Sequence, residues 1–174
     1  MTLYRDRYRV ESPRMPLHDY GPGLYFVTIC TRDREPWLGA VRDDDVVLSE
    51  IGLQVEALWR AVPAHYPDVR LDAFVIMPDH FHAILGIQAG WGRDAACRVS
   101  GSAPGRDGAC PVSTRTRLPY VVGSFKSAVT RWCGRNGYAD FAWQSRYFEH
   151  LVRDDREQDL IREYLVANPF RWTW

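Results

Sequence analysis

The residues best placed to do chemistry are a pair of histidines and, far downstream, a tyrosine. In Met77-Pro-Asp-His80-Phe-His82-Ala-Ile-Leu85 the histidines stand two residues apart. On an extended strand both imidazoles then project from one face, so two ring nitrogens can converge on a single ion. A lone His-x-His is weak evidence, because two ordinary histidines on a sheet are the commoner explanation. A divalent ion bound by histidine could be zinc, manganese or magnesium, and the remaining ligands decide among them. Near the end of the chain Tyr164 and Asn168 are four apart in a helical pattern. Their side chains can share one face, which pairs a nucleophile with an oxygen ligand. Pro169 disfavours helical backbone at Asn168 and puts it at or just past the helix end. Tyr164 also follows Leu160 and Ile161 at core spacing, and the pattern by itself favours a core role for it.

The elements that must position these residues are readable from periodicity. Leu24 to Cys30, after a Gly-Pro-Gly turn, reads as a strand, and Val46 to Leu48 as a short extended piece. Ser49 opens a helix in which Ile51, Val55, Leu58, Trp59 and Val62 recur at helical spacing. Val69 to Met77 and His80 to Ile87 read as an antiparallel hairpin broken at Pro78-Asp79. The stretch from about 88 to 118 is rich in Gly, Ser, Arg, Ala and Pro and reads as a flexible insertion with little part in the core. A helix follows with Val121, Val122, Phe125, Val129 and Trp132 on one stripe, then a strand within Phe141 to Val152. Asp154 and Glu157 resemble a capping box for a closing helix whose apolar face is Leu160, Ile161, Tyr164 and Leu165. This order predicts an α+β fold, an antiparallel sheet backed by helices.

With 174 residues, 46% of them hydrophobic, the chain has the size of one domain, read as 1–174 with an N-terminal arm over about 1–19. No run is long and apolar enough for a membrane span or a secretory signal, so a cytoplasmic protein with no membrane partner is expected. Cys30, Cys97, Cys110 and Cys133 form no CxxC pair and read as ordinary thiols. The 22 basic and 22 acidic residues balance, unlike a protein that grips duplex DNA mainly by bulk charge. Local basic surfaces remain open, with Arg5, Arg7, Arg9 and Arg14 clustered at the start. Lys126 is the one lysine, so positive charge is carried almost wholly by guanidinium groups suited to phosphate.

MPDHFHAIL, with two histidines flanking a hydrophobic residue, resembles the HUH signature of the IS200-like tyrosine transposases. Gly123-Ser-Phe-Lys126-Ser, Trp143-Gln-Ser-Arg-Tyr-Phe-Glu-His150 and Tyr164-Leu-Val-Ala-Asn168-Pro169 resemble that family's further blocks, in its order. The likeness spans about 20 to 174 and is nearest to the members associated with repetitive extragenic palindromes (REP). It implies a single-domain ferredoxin-like or RRM-like sheet with helices packed on one side. It also implies His80, His82 and Asn168 as ligands of magnesium or manganese, and Tyr164 as the nucleophile. The expected reaction is cleavage and rejoining of single-stranded DNA through a 5′-phosphotyrosine, at hairpin or palindromic sequences. Lys126, Arg131, Arg146 and Arg153 are the candidate contacts to the DNA backbone. A homodimer is compatible with the likeness. The competing reading is a noncatalytic or domesticated single-strand binder whose Phe26, Phe74 and Phe81 would stack bases on an RRM-like sheet.

Overall fold

The computed structural model describes residues 22–43, 45–88 and 117–169. The expected N-terminal arm, and most of the expected insertion, lie outside the described residues. Along the chain come β1 (Gly23–Cys30), β2 (Gly39–Arg42), β3 (Asp45–Leu48), α1 (Glu50–Arg60) and the short α2 (Val62–His65). β4 (Val69–Met77), β5 (His80–Ile87), α3 (Arg117–Arg135), β6 (Phe148–Val152) and α4 (Asp155–Ala167) follow. The main sheet runs β4-β5-β1-β6 with every neighbour antiparallel, and β2 pairs with β3 in a separate hairpin. The sequence β1-α1-β4-β5-α3-β6 in that strand order is the ferredoxin-like split βαβ arrangement, so the expected α+β class is the observed one.

Strand alternation divides the sheet into two unlike faces. Tyr25, Val27 and Ile29 of β1 and Phe81, Ala83 and Leu85 of β5 face one way and are fully buried. α1 and α3 cover them with Ile51, Val55, Trp59, Leu118, Val121, Val122, Phe125 and Val129. The Trp59 ring sits 4.9 Å from Phe81 and 5.0 Å from Phe125, so one side chain joins both helices to the sheet. Trp59→Ala is expected to cost about 3–5 kcal/mol, read as a lowered urea midpoint at unchanged slope.

Local chemistry explains the helix ends. Ser49 caps α1, its hydroxyl accepting from Gly52 N at 3.0 Å. A β-carbon at Gly52 would collide with the Leu38 carbonyl, so only glycine lets the first turn of α1 approach that segment. Arg117 grips Asp68 through two hydrogen bonds of 2.7 and 2.6 Å, which anchors the start of α3 beside β4. α3 thus takes in the last two positions of the expected insertion, and Leu118 is part of the core.

The other face carries Phe26, Thr28 and Cys30 from β1, His80, His82 and Ile84 from β5, and Phe148 and His150 from β6. Here the structure adds to the expected one-sided packing, because α4 lies against this second face. A register shift in β4 between Leu71 and Phe74 lies beside Asp72. The Asp72 carboxylate accepts from Gln158 at 2.6 Å and from Arg162 at 3.1 Å, which docks α4 on β4.

The expected extended piece at Val46 to Leu48 is observed within β3, one arm of the β2–β3 hairpin. Three other local expectations are corrected. Of Phe141 to Val152 only Phe148–Val152 is strand: Phe141 and Trp143 turn their rings into the core, 5.1 Å apart, and Trp143 keeps a single bridge to Thr31. On α4 Leu165 is buried but Leu160 is 57% exposed, so the apolar face is narrower than its spacing suggests. Asp154 does cap α4, while the Glu157 carboxylate bonds Arg153 N instead of closing the box on Asp154 N. Among the described residues no helix is long and apolar enough to cross a membrane.

Candidate active site

His80 and His82 project from the same face of β5 with ring centroids 4.5 Å apart. Each is held through Nδ1. His82 Nδ1 is bonded to Thr28 Oγ1 at 2.7 Å, across the β1–β5 pairing. His80 Nδ1 is bonded to Asp79 Oδ1 at 2.5 Å. Asp79, 4% exposed, is itself held by Arg34, whose Nε lies 2.6 Å from Oδ2. Its main-chain carbonyl accepts from Thr31 N and Thr31 Oγ1, both at 2.9 Å. Carboxylate or hydroxyl partners on Nδ1 orient metal-ligating histidines in general, because they fix the ring and leave Nε2 for the ion.

Arg34 reaches Asp79 from an uncommon backbone. Asp33 and Arg34 have φ of 55° and 60°, two successive non-glycine residues in the left-handed region, at a cost of about 1–3 kcal/mol each. Burial, with smaller contributions from neighbouring His80 and from Arg34, pushes the His82 imidazole down to about 3. The ring is therefore neutral near pH 7, the form that can ligate a cation.

Tyr164 comes to this pair from α4. Its hydroxyl lies 3.3 Å from His82 Nε2, and its ring meets Phe26 edge-on at 6.3 Å. At 40% exposure it is not a core side chain, whatever its spacing suggests. Phe26 stacks on His82 at 5.3 Å, completing a His–Phe–Tyr cluster. Asn168, one turn beyond Tyr164, caps α4 with helical φ −62° and ψ −45° in spite of Pro169. It is 8% exposed, and its Nδ2 has no hydrogen-bond partner among the described residues. Since the two ends of the amide are interchangeable at the level of shape, the buried end can equally be the oxygen, an acceptor for a cation. Among the described residues no cluster of three or more His, Cys, Asp or Glu side chains could hold a metal. Any ion at the pair would draw its other ligands from amide, water or substrate oxygens.

Of the four basic candidates, Lys126 lies within electrostatic range of Cys30, the cross-strand neighbour of His80. Lys126 donates to the Gln144 carbonyl at 2.7 Å and bridges α3 to the 144–145 segment, and burial lowers its pKa. It lines an open cleft of about 520 Å³ together with Arg131, Ser127, Thr130 and Gln144. Arg146 and Arg153 are exposed on either side of β6. The aromatics of the binder reading are largely unavailable: Phe81 is fully buried, and Phe74 packs under Arg60 at 5.0 Å. Asp79, Thr28 and Arg34 escaped the sequence reading; Asp79 beside His80 was the one visible signal. Cys30 and Cys133 are unpaired thiols, whose pKa burial raises, to about 11 for Cys133; Cys97 and Cys110 lie outside the described residues.

The chain matches no family model. It is 32% identical over 173 residues to an uncharacterized protein of Haemophilus influenzae, covering 93% of this chain and 89% of that protein, and belongs to one family with it. A second Haemophilus influenzae protein, named as a REP-associated tyrosine transposase, is 24% identical over 155 residues, covering 86% of this chain and 71% of its own. The named relative makes the chain similar to the REP-associated tyrosine transposases. Two solved structures are similar to it. One is a REP-associated tyrosine transposase bound to a REP hairpin, at TM-score 0.48 and 22% identity, covering 98% of this chain and 74% of that one. The other is a Deinococcus radiodurans protein named as a transposase, at TM-score 0.46 and 16% identity, covering 97% and 98%. The fold assignment rests on the strand order given above.

Proposed function

We propose that the chain is a metal-dependent, transposase-like enzyme that cuts and rejoins single-stranded DNA at hairpin or palindromic sequences. The observation that carries this reading is the Tyr164 hydroxyl at 3.3 Å from His82 Nε2, on the face that also presents His80. A tyrosine beside a histidine pair tethered through Nδ1 supports phosphodiester transesterification, in which the nucleophile is activated by a base or an ion. His80, His82 and Asn168 would hold magnesium or manganese. The donor set of two imidazole nitrogens and one amide, with the buried, unpartnered amide end of Asn168, fits such a site. When bound, the ion supplies charge stabilisation at the phosphate and at the leaving oxygen.

Tyr164 oxygen attacks phosphorus, forming a Tyr–O–P bond as the bond to the 3′ oxygen breaks. The tyrosine proton passes to solvent and the 3′ oxygen takes one from solvent, so the step is balanced in protons. Rejoining reverses these steps with a 3′ hydroxyl as attacker, and no ATP is required because the ester is conserved. Phe26, stacked on His82 and edge-on to Tyr164, fixes both rings relative to one another. Arg131, Arg146 and Arg153 serve as backbone contacts in this reading, and Lys126 acts mainly as a brace.

The test is to incubate the protein with manganese and single-stranded hairpin oligonucleotides from the flanks of its own gene, and to look for a covalent adduct on a denaturing gel. Binding without any adduct, across several flanks, would favour the noncatalytic binder. Asp79→Asn examines the tether on His80: manganese affinity by calorimetry is expected to fall about 10–100-fold at unchanged circular dichroism. An unchanged affinity would remove His80 from the ligand set or Asp79 from its support.

A further inference from the structure

We propose that Phe148 is a stacking site for an unpaired nucleobase beside the phosphate that Tyr164 attacks. The proposal rests on the DNA-cutting reading and deepens it by naming where a base is held. Thr28 is directly opposite His82 on one side and Phe148 on the other. His82, Thr28 and Phe148 therefore form one row across β5, β1 and β6 on a single face. Two strand spacings separate the ends of the row, roughly 10 Å.

Phe148 is 51% exposed, whereas Phe26 on the same face packs on His82. A lone exposed aromatic is ordinary on a protein surface; position is what distinguishes this one. β6 is an edge strand of the main sheet, so the ring stands at the open end of a row whose other end is the histidine pair. Every base has a π face, so such a site holds a nucleotide in place without choosing its identity.

The test uses the full chain carrying Tyr164→Phe, which keeps the ring but cannot cut, and fluorescein-labelled single-stranded hairpin oligonucleotides from the gene's own flanks. Anisotropy at fixed salt gives the Kd. Phe148→Ala is expected to weaken binding about tenfold, and Phe148→Trp to restore it. An abasic site at one position next to the cut should weaken binding by the same factor when Phe148 is present and add nothing to Phe148→Ala. Unchanged affinity in Phe148→Ala, or losses that multiply at every abasic position, would overturn the stacking site. The protein with Tyr164 intact is run on the same oligonucleotides. If it forms an adduct while those results hold, stacking alone has failed; if it neither binds nor forms an adduct, the DNA-cutting reading falls and takes the stacking site with it.

Discussion

If the proposed reaction holds, Tyr164→Phe is expected to abolish the covalent protein–DNA adduct while leaving manganese binding and single-strand affinity in place. The substitution removes one oxygen from a ring that is 40% exposed, so stability should change little. What it removes chemically is the only atom of the side chain able to form the ester. Loss of a covalent nucleophile commonly lowers turnover by about 10⁴-fold or more. Denaturing gels with end-labelled hairpin DNA check the adduct, and calorimetry checks the ion. An adduct that survives in Tyr164→Phe moves the nucleophile elsewhere, and Tyr147, in the same sequence block as Phe148, is the residue to replace next.

His82→Ala should show the complementary pattern, with ion binding and cutting lost together. His82 is 6% exposed and bonded to Thr28, and burial keeps its ring neutral. Removing it takes away one of two nitrogens that share a face, as well as the ring against which Phe26 and Tyr164 pack. The fall in manganese affinity should exceed the roughly 100-fold that loss of an outer partner costs. Electron paramagnetic resonance of free manganese measures it directly. A variant that loses cutting but keeps ion affinity would make His82 a positioning residue for Tyr164 and not a ligand.

These outcomes bear on how much the sequence discloses. β1, the β4–β5 hairpin, α1 and α3 were legible because their apolar residues repeat with period two or 3.6 over eight or more positions. β2 was not: Gly39-Ala40-Val41-Arg42 is too short and too weakly apolar to declare itself, and becomes a strand only by pairing with β3. Phe141 and Trp143 look like strand residues by type, yet they plug the end of the core, a role set by neighbours distant in sequence. In the site, His80, His82 and Tyr164 announce themselves by residue type and spacing. Thr28 meets His82 only through the register of β1 on β5, a contact 54 residues apart in sequence. Arg34 reaches Asp79 through left-handed backbone that no charge pattern reveals. For Lys126 the charge was visible, but its partners, two main-chain carbonyls, were not.

β5 is read differently from its two sides. Odd positions Phe81, Ala83 and Leu85 are fully buried beneath α1 and α3, while even positions His80 and His82 look towards α4. Slipping the strand by one residue would thrust two imidazoles among the apolar side chains of α1 and α3 and take Phe81 out of that layer, so the packing of the odd positions holds the alignment of the histidines. The placement of the two histidines is thereby inherited from apolar residues on the opposite face, and loops or helix surfaces could change while this odd-even rule kept the pair in place.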